Sequence, residues 1–105
     1  MSPIVTVYAV FRDDEEAARI ARVAVEEGLA ACANILPPCR SVYRWQGAVE
    51  TADEVPALFK TTRDGADALI ARIAALHEYD VPAAVAWPVL SAHAPYAEWV
   101  RESVR

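Results

Sequence analysis

The sequence is poor in glycine and cysteine, with three glycines and two cysteines among 105 residues. Gly28, Gly47 and Gly65 stand apart from one another, which excludes a glycine-rich phosphate-binding loop. Cys32 and Cys39 are too few for a disulfide scaffold or a four-ligand zinc site, and we expect reduced, mostly buried thiols. No segment approaches the roughly 20 apolar residues of a membrane span, and the first residues lack the basic region of a signal peptide. We therefore expect a cytoplasmic protein that has no membrane partner.

Basic residues are also in the minority, with ten Lys and Arg against fifteen Asp and Glu and a net charge of −5. This is the wrong sign for holding a polyanion, so nucleic acid is excluded as an expected partner. Hydrophobic residues make up 55% of the chain and charged residues 24%, which is typical of a folded domain. We expect one domain over residues 1–105 and no organic cofactor.

Hydrophobic periodicity predicts four strand regions and two long helices, followed by a short terminal helix. Asp13 with Glu16, and Asp64 with Asp67, are the expected helix starts. Pro56 indicates a bulge or a sheet edge. In order, the expected elements are a strand at 4–11, a helix from about residue 14 to 28, a broken strand at 29–45, a strand at 48–62, a helix at 64–77, a strand at 81–90 and a helix from Pro95.

This order is the ferredoxin-like βαββαβ arrangement of an α+β protein, plus a C-terminal helix. Two helices cover only one face of its antiparallel sheet, yet the first and third strands are apolar on both sides. The hairpin around Gln46 and Gly47 has arms that outrun the helices. We therefore expect a homo-oligomer that forms through the open face and the long hairpin.

Four chemically active side chains follow one another from His77 to Asp80: an imidazole, two carboxylates and a phenol. Such a run is most typical of a solvated helix end; a divalent-metal contact is the next alternative, and a binding or acid–base role is the third. Tyr43, Trp45, Lys60 and Tyr79 are candidates for lining a site or for packing at an interface. Lys60, the sole lysine, lies in an apolar strand, where its charge needs a carboxylate, a carbonyl or a ligand.

Five segments together resemble the CutA divalent-cation tolerance proteins in order and in spacing. The resemblance covers the chain from about Ile4 to Glu102. The segments are LAACANILP at 29–37, SVYRWQG at 41–47, KTT at 60–62, LHEYDVP at 76–82 and YAEWV at 96–100.

The resemblance implies a ferredoxin-like subunit in a homotrimer, similar to the PII signalling proteins, with a role in tolerance to divalent metals and above all to copper. It implies no enzymatic activity. Copper or another divalent cation is the implied ligand, held by His77 with help from Cys32, Cys39, Glu78 or Asp80. Inter-subunit clefts lined by Tyr43, Trp45, Lys60 and Tyr79 are expected to bind a metal or a small anion.

The sequence departs from the family pattern at several positions. Glu78 replaces the proline of a His-Pro-Tyr motif, and Ala9 and Leu76 stand where some members place a cysteine and a histidine as copper ligands. Cys39 replaces a glycine at the bend, and Ala48 replaces a lysine after the hairpin glycine.

Two other functions are compatible with the same pattern. One is a PII-like regulatory module that binds a partner protein, with metal binding incidental. The other is a hydrolase of the acylphosphatase type that uses Lys60 or Asn34, although the chain has no glycine-rich loop for a phosphoryl group.

Overall fold

Residues 2–105, which the computed structural model describes, form an α+β domain with an antiparallel sheet. The predicted order of elements is confirmed, with the broken second strand divided in two. The elements are β1 (Ile4–Phe11), α1 (Asp14–Glu26), β2 (Cys32–Ile35), β3 (Cys39–Trp45), β4 (Ala48–Thr62), α2 (Ala66–Leu76), β5 (Ala84–Pro88) and α3 (Ala94–Ser103).

Strand β4 is the longest element, with 15 residues, and it pairs with three other strands. Its second half lies between β1 and β2, in the strand order β2-β4-β1-β5. Its first half pairs with β3 alone, in a ribbon that runs from the Cys39–Glu54 pair to the Trp45–Ala48 pair. The ribbon therefore extends beyond the four-stranded sheet, as the long hairpin arms predicted.

A one-residue bulge separates β2 from β3. Leu36, Pro37 and Pro38 lie opposite only Val55 and Pro56 of β4. The Leu36 N–H donates to the Pro56 carbonyl at 2.9 Å. Because the N–H and C=O of a strand residue point the same way, the N–H that Pro56 lacks would face this break.

The prediction that Pro56 marks a bulge is therefore confirmed, with the extra residue in the neighbouring strand. Pro56 is buried and pairs with Val10 of β1, whereas the pairing with β2 and β3 is interrupted opposite it. The extra residue lies in the neighbouring strand, opposite the N–H that Pro56 lacks. The absence of this N–H therefore costs no hydrogen bond between the strands.

The hairpin turn consists of Gln46 and Gly47, as predicted. Both have positive φ, 50° and 84°, and Gln46 is the one non-glycine residue with positive φ among residues 2–105. This is the two-residue turn whose twist matches that of antiparallel strands. It sets the register that places Tyr43 opposite Glu50.

The two long helices begin differently. The Asp13 carboxylate accepts from the Glu16 N–H at 2.8 Å, which confirms the predicted cap of α1. Helix α2 has Gly65 as its N-cap and no side-chain cap, so the prediction that Asp64 begins this helix is wrong. The Gly65 N–H instead donates to the carbonyl and hydroxyl of Thr62, which close the preceding turn.

The hydrophobic core lies between the sheet and helices α1 and α2. Alternate residues of β1 and β4 face this core, and a smaller cluster of Ile4, Ala31 and Val100 attaches α3. The opposite face of the sheet is apolar but open: Trp87 is 46% exposed and stacks on Tyr8 at 4.9 Å. Fully buried core side chains include Val7, Phe11, Ile20, Phe59, Leu69 and Ile73.

The difference between the two helix starts predicts a difference in stability. Asp13→Ala should lower the free energy of unfolding by about 1 kcal/mol, because α1 loses its cap. The matched variant Asp64→Ala should change it by less than about 0.5 kcal/mol. Urea unfolding at one fixed protein concentration measures both values. Equal losses in the two variants would contradict the assignment of the caps.

Candidate functional site

A groove of about 770 Å³ lies between the β3–β4 ribbon and the segment that follows α2. It joins two of the segments that the sequence singled out. Tyr43, Trp45 and Tyr79, three of the residues predicted to line a cleft between subunits, line this groove together. Its other lining residues are Val10, Ser41, Arg44, Glu50, Glu54, Glu78, Asp80, Val81 and Ala83.

One wall of the groove follows from strand alternation. Ser41, Tyr43 and Trp45 occupy alternate positions of β3 and therefore share a face. Across the ribbon, Glu50 is the register partner of Tyr43 and Glu54 lies four residues further along β4. Neither glutamate was predicted as a site residue, although the hairpin turn alone sets the pairing that brings Glu50 next to Tyr43.

The other wall depends on His77, the C-cap residue of α2. The His77 side chain is buried, and its ring stacks on Phe11 with centroids 5.2 Å apart. Nε2 donates to the Val10 carbonyl at 2.8 Å, and Nδ1 accepts from the Tyr79 N–H at 3.1 Å. This pairing assigns a neutral imidazole with its proton on Nε2. The ring fixes where the chain leaves α2 and thereby holds Tyr79 at the groove.

Tyr79 connects the two walls. Its hydroxyl donates to Glu54 Oε2 at 2.8 Å. Desolvation and then this hydrogen bond raise the pKa of Tyr79 well above the usual range of tyrosine. The phenol is therefore a neutral donor at physiological pH.

Glu16 is a buried carboxylate that sequence analysis treated only as part of a helix cap. Its side chain is 1% exposed. Oε1 accepts from the Arg12 N–H at 2.9 Å and Oε2 from the Glu78 N–H at 3.0 Å. Glu16 thus links the start of α1 to the segment beyond α2, and its charge is compensated by backbone donors. The hydrogen bond from the Glu78 N–H could not be predicted from the local sequence, because Glu78 is 62 residues away from Glu16.

The predicted metal ligands do not form one cluster. No group of three or more His, Cys, Asp and Glu side chains within residues 2–105 is arranged to hold a metal ion. Both ring nitrogens of His77 are already hydrogen-bonded, so neither nitrogen offers a free lone pair to a cation. Cys39 lies 3.9 Å from the Ser41 hydroxyl, and Cys32 lies 3.5 Å from the Tyr96 hydroxyl. The donor set of a single chain therefore does not fit a metal held by three ligands.

Lys60 does not line this groove of the single chain, so its place with Tyr43, Trp45 and Tyr79 in a cleft between subunits stays a prediction. It lies in the sheet, opposite Cys32 on one side and Thr6 on the other. Its ammonium group has no hydrogen bond or ion pair to any residue of the described chain. Near it, desolvation and then the contact with Cys32 raise the pKa of Tyr96 to about 12.

Comparison with known proteins identifies the family. The sequence profile described as "CutA1 divalent ion tolerance protein" matches residues 5–103. The chain belongs to this family. A CutA1 family relative from Thermus thermophilus, described as a divalent-cation tolerance protein, is 48% identical over 90 residues, which are 85% of this chain and 87% of that protein. The resemblance found in the sequence is thus confirmed.

Other CutA1 family members agree over nearly the whole chain. The rice protein "CutA 1, chloroplastic" is 40% identical over 103 residues, 98% of this chain, but the chain spans only 58% of that protein. The structure of the Thermus thermophilus protein superposes with a TM-score of 0.93 at 41% identity, and covers 97% of this chain and 99% of the other. The rice structure gives 0.95 at 39% identity, with coverages of 99% and 95%. The α+β fold with an antiparallel sheet is therefore that of the family.

The descriptions of CutA1 family members name more than one compartment. The rice relative is chloroplastic, and a structure from Archaeoglobus fulgidus is described as periplasmic. The cytoplasmic location of the present protein therefore stays a prediction. Within residues 2–105, no helix has the length and apolar character needed to cross a membrane.

The raised pKa of Tyr79 predicts a pH dependence. The folded protein keeps the phenolic proton at a pH where the unfolded chain, with a pKa near 10.0, loses it. The free energy of unfolding should therefore fall as pH rises above that value. In Tyr79→Phe this loss should be smaller between about pH 9 and about pH 11, and in Glu54→Gln it should be intermediate. Denaturant unfolding across this range measures it, and identical slopes for all three proteins would refute the linkage.

Proposed function

We propose that the protein acts in divalent-cation tolerance, without catalysing a reaction, as a cytoplasmic homotrimer of ferredoxin-like subunits that binds copper or another divalent cation. Membership of the CutA1 divalent ion tolerance family, over residues 5–103, is the observation that carries this proposal. The strand order β2-β4-β1-β5, with both long helices packed on one side, supports the ferredoxin-like description.

The open sheet face supports assembly. Val85 and Trp87 of β5 are 49% and 46% exposed, and Tyr8 and Leu58 are only partly covered. Apolar side chains that are contiguous on one face mark an interaction surface. Burial against further copies removes this surface from water at a gain of about 25 cal/mol per Å². The ribbon of β3 and β4 extends past the sheet and offers an additional edge for the contact.

The arrangement of donors indicates how a metal would be held. Because one chain gathers fewer than three ligands over residues 2–105, a complete coordination sphere needs groups from more than one subunit. Cys32 and Cys39 are free, partly exposed thiols, the ligand type that copper in its reduced state prefers. Glu78 and Asp80 are exposed carboxylates that add weaker ligands. His77 joins such a site only if its ring gives up the bond to Val10 or to Tyr79.

Assembly is tested with a matched pair of charge insertions. Val85→Glu places a carboxylate on the open sheet face, and Val25→Glu places one on the exposed side of α1, at 49% and 41% exposure respectively. The parent protein and Val25→Glu should scatter light with three times the 11.5 kDa mass of the chain, and Val85→Glu should dissociate. A parent mass equal to that of one chain at micromolar concentration would refute the trimer.

Metal binding is tested by calorimetric titration of the assembled protein with Cu(II) and with Zn(II). The double variant Cys32→Ser, Cys39→Ser should weaken copper binding by at least about tenfold, because it removes the soft ligands. His77→Ala should change copper affinity less than the double variant does, and circular dichroism shows whether it remains folded. Parent binding no tighter than about millimolar would contradict the proposed function.

A further inference from the structure

We propose that the groove between the β3–β4 ribbon and residues 78–81 binds a small organic cation with a flat amidinium or guanidinium group. Glu78 and Asp80, the weaker metal ligands of the proposed function, also line this groove, but Glu50, Glu54 and the aromatic rings do not belong to that metal site. Three observations carry the proposal: the charge of the lining, the exposed aromatic faces and the spacing of the carboxylates.

The lining is strongly acidic. It contains the four carboxylates of Glu50, Glu54, Glu78 and Asp80, and Arg44 is its one cationic side chain. Glu78 is neutralised by an ion pair with Arg12, outside the lining. Glu50 and Asp80 are exposed, and neither forms an ion pair within residues 2–105. A groove of this charge attracts a cation and repels an anion, so the small anion expected from the sequence does not suit it.

Aromatic rings are presented beside these carboxylates. Tyr43 and Trp45 share a face of β3 and are each 38% exposed. Planar cations stack on such rings, and a guanidinium or amidinium also fits a carboxylate edge-on with two hydrogen bonds. Tyr43 experiences the acidic environment directly: desolvation, and then the charges of Glu50 and Glu54, raise the pKa of its hydroxyl. The same negative charges would attract a ligand cation near Tyr43.

The spacing of the carboxylates favours an extended organic cation over a bare metal ion. Glu50 and Glu54 are four residues apart on one strand, and Asp80 lies on the opposite wall. These carboxylates are not arranged to surround one ion. A cation several atoms wide reaches one carboxylate while its plane lies on an aromatic ring. The volume of about 770 Å³ falls within the range of about 300–1,000 Å³ found for small-molecule sites.

The site has one carboxylate that is held in place, that of Glu54, and two exposed carboxylates that accept hydrogen bonds, those of Glu50 and Asp80. Tyr79 is held from behind by its N–H bond to His77 and in front by its hydroxyl bond to Glu54. Glu54 therefore keeps a defined position, with Oε2 occupied by Tyr79. Glu50 and Asp80 are exposed at the surface, and the Glu50 carboxylate also interacts with the Tyr43 hydroxyl.

The experiment uses benzamidinium as the probe and benzamide, its neutral and nearly isosteric analogue, as the matched compound. Titration of the ¹⁵N-labelled full chain, in the assembly that it adopts, follows the indole N–H signals of Trp45, Trp87 and Trp99 by NMR. We expect a saturable shift of the Trp45 signal with benzamidinium and none with benzamide. Trp45→Phe assigns the signal and retains an aromatic face.

The matched variants each remove one exposed carboxylate. Glu50→Gln should weaken benzamidinium binding by about fivefold, the loss expected for one partly solvated charge contact. Glu98→Gln, an equal charge change on α3 outside the groove, should leave the affinity unchanged.

Four results would overturn the proposal. The first is equal binding of benzamide and benzamidinium, which would make the groove merely apolar. The second is the absence of any saturable shift, which would include a groove filled by another copy of the chain. The third is an equal loss of benzamidinium affinity in Glu50→Gln and Glu98→Gln, which would show that only the net charge of the protein matters. Displacement of the probe by Mg²⁺ at low concentration in the parent but not in Glu50→Gln would assign the site to divalent ions instead.

Discussion

The pairing of β4 with three other strands is the constraint on which the rest of the structure depends. Its second half is the inner strand that joins β1 to β2, and its first half has only β3 as a partner. One strand thus belongs both to the core and to the projecting ribbon. Since side chains alternate along it, its register decides which residues enter the core, which face the open side of the sheet and which line the groove. The bulge at Leu36–Pro38 lets β2 and β3 pair with the same strand in registers that differ by one residue.

A buried polar pair gives the groove its second wall. His77 accepts from the Tyr79 N–H and donates to the Val10 carbonyl, while Glu16 accepts from the N–H groups of Arg12 and Glu78. No buried side-chain nitrogen or oxygen atom is left without a partner within residues 2–105. These groups satisfy the backbone where the chain leaves α2, which is where irregular backbone would otherwise lose its hydrogen bonds. His77, which the sequence suggested as a metal ligand, therefore holds the backbone in place in this chain.

Much of the fold could be predicted from local patterns. The Asp13 cap, the turn at Gln46 and Gly47 and the apolar run from Ile4 to Phe11 depend on neighbours in the sequence, and all three are confirmed. The cap of α2 could not be predicted in this way. Asp64 is a residue type that often caps helices. Here the Gly65 N–H donates to Thr62 instead and closes a turn at this point. For Pro56 the sequence predicted a bulge or an edge, and only the residues across the sheet decide that it is a bulge.

The sequence by itself determined the family, the α+β class and the residues Tyr43, Trp45 and Tyr79 of the groove, because motif order and short-range periodicity are properties of the chain alone. Only the tertiary structure decided that Lys60 lies elsewhere, that Glu50 and Glu54 make the groove acidic, and that both nitrogens of His77 are engaged. Cross-strand register and burial bring together atoms that are tens of residues apart. They set the charge of a groove and the protonation of a ring, and no local pattern specifies either.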